Sequence, residues 1–181
     1  MLKRSASTLF ALSAMTLGLG NSASVFGQPG CDPVQGKITN TFIAQDGSRT
    51  LGVVALAYGP TRSAVKLKCA LAGQERQDLL PPGADIAFIH TISCDDTTST
   101  ALGPLHSSIW LYTTGNIAAP DPRVPGQVAT FKETSIPLPG GPSPTGIFDG
   151  AINTSQLFVQ GAIYATGSID MTFQGQICRQ E

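Results

Sequence analysis

The sequence predicts an all-β fold: a single antiparallel β-barrel of about eight or nine strands, with a two-sheet β-sandwich as the alternative. Three observations carry this. Apolar and polar residues alternate with period two along almost every segment, turn-forming residues separate those segments at short intervals, and four cysteines occupy positions from which core-facing strands can be joined. The alternation is clearest in Ile169-Asp170-Met171-Thr172-Phe173-Gln174-Gly175-Gln176-Ile177, where odd positions are apolar or glycine and even ones polar. That is a strand with one buried and one wet face. The 20 glycines and 13 prolines in 181 residues are too many for a helix bundle and too irregular for collagen.

Taken in order, residues 1–27 read as a secretory signal peptide. Lys3 and Arg4 form its positive start, an apolar stretch from Leu9 to Leu19 follows, and small residues appear at Ala23, Ser24 and Gly27. The apolar stretch falls short of the roughly 20 residues a spanning helix needs, so no stable membrane insertion is expected. Gly30-Cys31 suggests a lipidation site, but Gln28 stands where an aliphatic residue is required. The expected mature chain is one barrel domain, residues 28–181, secreted or periplasmic. Its strands are expected near 34–43, 51–58, 63–71, 85–94, 106–113, 127–134, 145–150, 156–165 and 169–177. Asp46-Gly47, Tyr58-Gly59-Pro60, Pro81-Pro82-Gly83, Thr114-Gly115-Asn116 and Pro139-Gly140-Gly141-Pro142 supply turn signals. One or two helical turns fit between Ala70 and Leu80. The proline-rich stretches 118–126 and 137–144 read as long surface loops.

An even cysteine count in an exported chain points to disulfides, and no CxxC pair is present to suggest a metal or redox site. Strand parity selects the pairing. Cys69 shares a face with Val65, Leu67 and Leu71, and Cys94 shares one with Ile86, Phe88 and Ile92. Two core-facing cysteines on successive strands meet, which leaves Cys31 and Cys178 to tie the chain ends, as expected when a sheet closes on itself.

Formal net charge is −1, and loss of Lys3 and Arg4 with the signal leaves 9 basic against 12 acidic side chains. Composition therefore gives no electrostatic footprint for nucleic acid or an anionic membrane. There is no Gly-x-Ser-x-Gly elbow, no His-x-x-x-His pair and no phosphate-binding glycine loop, so neither a cofactor nor a metal is expected.

The run Thr145-Gly146-Ile147-Phe148-Asp149-Gly150-Ala151, followed by Gln156-Leu157-Phe158-Val159-Gln160-Gly161, resembles the glycine-punctuated rhythm of the allene oxide cyclase and dirigent barrel group. The resemblance covers about a fifth of the chain and breaks where Ile152-Asn153-Thr154-Ser155 replaces a short glycine turn. It implies an eight-stranded antiparallel barrel, sometimes with an internal cavity for an apolar ligand, and carries over no catalytic residue.

Four side chains are candidate ligand contacts. By parity His90 lies on the face of Ile86, Phe88 and Ile92, where a buried imidazole must hydrogen-bond, either to orient a ligand or simply to a neighbouring strand. Glu133 shares the face of Phe131; beside His90 it would serve proton transfer, whereas an ion pair or rim position is the plain alternative. Trp110 and Tyr112 share one strand face and suit either sugar stacking or burial. His106 reads as a surface residue. The expected function is an exported, non-enzymatic barrel that binds a small apolar ligand or a surface partner. The alternatives are a structural or assembly protein of the cell envelope, and a cyclase or isomerase holding its ligand in the barrel. Oligomeric state is left open.

Overall fold

The computed structural model describes residues 30–60, 62–96 and 105–180. The signal peptide expected over 1–27 lies outside the described residues. Eight antiparallel strands follow in chain order: β1 (Cys31–Phe42), β2 (Arg49–Tyr58), β3 (Val65–Glu75), β4 (Ile86–Asp96), β5 (Leu105–Ala118), β6 (Gln127–Pro137), β7 (Gln156–Tyr164) and β8 (Ser168–Cys178). Each pairs with the next, and β1 pairs with β8 from Cys31↔Cys178 to Thr41↔Ser168, so the sheet is a closed barrel and not a sandwich. Closure removes both sheet edges.

The register fixes the barrel's stagger. The cross-strand row Ile86–Gly115–Glu133–Val159–Phe173–Gly36–Leu56–Leu67 runs through all eight strands. With Cys69 opposite Cys94, Leu67 brings the row back to β4 at the level of Asp96, ten residues beyond Ile86. A shear of ten over eight strands corresponds to a strand tilt of roughly 40–45° and an interior that side chains can fill. They do fill it. Val34, Val54, Leu71, Ile92, Ile109, Phe131, Val159 and Phe173, one from each strand, belong to a single buried core.

Inward glycines make that packing possible. A Cβ on Gly36 would come within 2.6 Å of the Phe173 ring and 2.2 Å of the Ala55 carbonyl oxygen, and one on Gly161 within 2.6 Å of the Phe131 ring. Large side chains thus lie flat over the bare backbone of the neighbouring strand.

Three segments differ from expectation. Residues 145–150 are not a strand but a 3-10 turn, Gly146–Phe148, entered at Gly146 with φ +62° and left at Gly150 with φ +72°, a conformation foreign to a strand. This turn seats Phe148 in one end of the barrel, edge-on to Tyr58 with ring centroids 6.1 Å apart. Thr114-Gly115-Asn116 is not a turn: β5 continues to Ala118, and Gly115 is an inward position faced by Glu133. In place of the one or two helical turns expected between Ala70 and Leu80, there is a second 3-10 turn, Gln77–Leu79, because β3 extends to Glu75.

Both expected disulfides are present. Cys31–Cys178 and Cys69–Cys94 each join directly opposed residues, with Cα atoms 3.9 and 4.1 Å apart. Beside the first, Arg179 ties the Phe148 end shut. Its guanidinium pairs with Asp32 and Tyr58 and donates to the carbonyl oxygens of Ile147 (2.7 Å) and Asp149 (3.0 Å).

Candidate functional site

Polar side chains inside an apolar barrel are the natural place to look for chemistry, because each must be bonded or carry a desolvation cost. Parity turns His90 of β4 inward, where the residue is 9 % exposed. Its Nδ1 lies 3.0 Å from the Thr113 hydroxyl, which lies 2.8 Å from the Ser135 hydroxyl. The ring stacks on Phe88 at 5.3 Å. Burial lowers the imidazole pKa to about 4, so the ring is neutral at pH 7. Opposite it, Gly73 is a notch. A Cβ there would come within 2.4 Å of Thr50 Oγ1 and 2.7 Å of His90 Nε2. Thr50 is 3 % exposed, and its hydroxyl has no hydrogen-bond partner among the described residues. Asn40, also buried, accepts from the Thr41 backbone N–H at 2.9 Å.

Glu133 of β6 also points inward and is 8 % exposed. Its side-chain stem packs against Gly115, where a Cβ would meet Glu133 Cγ at 2.6 Å. It has neither a hydrogen bond nor an ion pair among the described residues, and desolvation raises its pKa to about 7. The hydrogen-bond chain from His90 ends at Ser135, two residues along β6 from Glu133. The two groups therefore share the lumen without sharing a hydrogen bond.

Trp110 and Tyr112 face outward. Trp110 is 36 % exposed, and the Tyr112 hydroxyl donates to the Leu79 carbonyl oxygen at 2.5 Å, pinning the β3–β4 loop to β5. The four expected ligand contacts thus divide between lumen and outer wall. His106 is on the surface, 2.8 Å from Asp95. Thr50, Thr113 and Ser135 were not singled out from sequence, although the parity that placed His90 also turns them inward. Among the described residues no group of three His, Cys, Asp or Glu is placed to hold a metal. Among the described residues, two recesses share Lys37, Gln160 and Thr172 of the outer wall, and the lining of one of them also includes Leu56, Glu133, Val159 and Phe173, whose side chains face the lumen. Comparison with protein-family models, with curated proteins and with solved structures finds no match for this chain.

Proposed function

We propose that this chain is an exported, disulfide-stapled barrel without enzymatic activity that works through its outer wall, binding a partner at the cell surface or in the envelope, and does not enclose a ligand. The observation that carries this reading is the packed core: inward side chains from all eight strands join one buried cluster, which favours the outer wall over the lumen as the binding surface. Two disulfides, one closing nearly the whole described chain, suit an oxidising compartment. Among the described residues no helix is long and apolar enough to cross a membrane.

Titration with a small apolar dye tests the reading. The native protein should show no saturable binding. Phe173→Ala, which vacates the ring lying over Gly36, should create a dry internal cavity and a binding site, because apolar cavities in proteins take up small hydrocarbons. Stoichiometric dye binding by the native protein, lost in His90→Gln at unchanged melting temperature, would refute the reading. It would favour the cyclase or isomerase alternative, whose support is the pair of desolvated titratable groups in one lumen.

A further inference from the structure

The chain beyond residue 27 carries four lysines, Lys37, Lys66, Lys68 and Lys132, on three separate strands, β1, β3 and β6. The barrel register gathers all of them. Lys132, Gln160, Thr172, Lys37, Ala55 and Lys68 are successive partners across six neighbouring strands, and every one is exposed on the outer wall. The adjoining row contributes Phe158, Gln174, Gln35 and Lys66. Over these six strands neither row holds an outward acid; the Glu133 carboxyl, between Lys132 and Thr134, is in the lumen. The nearest acids on the wall are Asp95, which lies beyond Lys68 on β4 and is paired with His106, and Asp170, one row away beside Thr39. Among the described residues the ion pairs use Arg76, His106, Arg123 and Arg179, and no lysine takes part in one. A chain with more acids than bases therefore presents one continuous cationic stripe, which its overall composition conceals.

The stripe's chemistry and shape select the partner. Strand neighbours are about 4.8 Å apart, so Lys132 and Lys37 are separated by about 14 Å along the wall, and Lys37 and Lys68 by about 10 Å. Between them stand Gln160, Thr172, Gln174 and Gln35, amides and a hydroxyl that both donate and accept, as sugar hydroxyls require. Phe158, 53 % exposed, offers an aromatic face in the middle. A row perpendicular to tilted strands winds obliquely round the barrel. A flat bilayer would touch it along a short tangent, whereas a flexible linear chain can follow it. Nucleic acid in single-stranded form would call for several stacking aromatics, and the stripe has one.

We propose that this stripe binds a linear acidic polysaccharide, with Lys132, Lys37 and Lys68 pairing with its carboxylates and the intervening amides and hydroxyl bonding to its sugars. The assignment rests on the outer-wall reading above and gives that wall its ligand class.

Binding of the disulfide-intact protein to polygalacturonate tests it, with dextran, polyglutamate and phosphatidylglycerol vesicles as comparisons. Polygalacturonate should bind, and less tightly as sodium chloride is added. Dextran should not bind, and polyglutamate should bind more weakly. The exposed triple substitution Lys37→Gln, Lys68→Gln, Lys132→Gln should weaken binding about tenfold or more at unchanged melting temperature. Arg49→Gln, on the same wall at the far end of β2, should bind like the native protein. Native-like binding by the triple variant would overturn the proposal. So would equal affinity for polyglutamate, or tighter binding to the vesicles than to the polysaccharide. Absence of polygalacturonate binding would remove the polysaccharide and leave the outer-wall reading standing, since that reading falls only if the apolar dye finds a site in the native lumen.

Discussion

His90 and Glu133 titrate inside the same barrel with opposite shifts, and this predicts a pH dependence that each conceals in the other. Burial lowers His90 from 6.5 to about 4. Between those values the unfolded chain holds a proton that the folded one does not, so stability rises with pH across that window. Burial raises Glu133 from 4.5 to about 7. There the folded chain holds the extra proton, so its stability falls as pH rises. Each slope is about 1.4 kcal/mol per pH unit. The windows overlap between 4.5 and 6.5, and in that range the two contributions cancel. Substituting one group should expose the other. Glu133→Gln should gain stability relative to the native protein, by up to about 3 kcal/mol in all, as pH rises from about 4.5 to 7. His90→Gln should gain a similar amount on the native protein as pH falls from about 6.5 to 4. Denaturant unfolding of the three proteins at half-unit pH steps measures both differences, and the surface carboxylates drop out because all three share them. Differences that stay constant across pH would show that neither group is held in its neutral form by burial, and would refute the argument.

Two Thr→Val substitutions in the same lumen should act in opposite directions. Thr50→Val removes a buried hydroxyl without a partner and should stabilise by about 1–2 kcal/mol, a rise of roughly 2–8 °C in melting temperature. Thr113→Val breaks the link between His90 and Ser135 and should cost about 1–3 kcal/mol. A loss of stability in Thr50→Val on thermal melting would refute the absence of a partner for its hydroxyl. The two disulfides differ in the loop they close, with sequence separations of 147 and 25. In the chain-entropy model, replacing Cys31 and Cys178 by serine should cost about 5 kcal/mol, and replacing Cys69 and Cys94 about 3–4 kcal/mol. Equal costs in denaturant unfolding would contradict a loop-entropy origin.

Side-chain parity is a local property, and what depends on it was legible in the sequence. The strand from Ile169 to Ile177, the inward direction of His90 and Glu133, and the opposition of Cys69 to Cys94 all follow from counting by two. Glycine was harder, because one residue serves two purposes. Gly146 and Gly150 adopt positive φ and end strand geometry, while Gly115 and Gly73 sit mid-strand because Glu133 and His90 occupy the space of their missing Cβ. The sequence around each looks alike, so Thr114-Gly115-Asn116 read as a turn and the Gly146–Gly150 segment as a strand, the reverse of the structure in both cases. What separates them is the residue on the adjoining strand, which lies well away in sequence.

The same limit explains why the outer wall escaped notice. Parity says that Lys37, Lys66, Lys68 and Lys132 face out, and composition says that acids outnumber bases. Neither says which lysine stands beside which. That depends on the lateral register of the five strand pairs from β6 through β8 and β1 to β3, set by where inward bulk meets inward glycine, as with Phe173 over Gly36 and Phe131 over Gly161. A one-residue slip at any pair would turn a strand's apolar face to water, so the lumen enforces the register. The alignment of the outward lysines is then inherited from the packing inside. The residues that pack the lumen are those that set the register of the cationic row on its surface, and a cavity-forming change such as Phe173→Ala, if it loosened the β8–β1 register, would disturb both together.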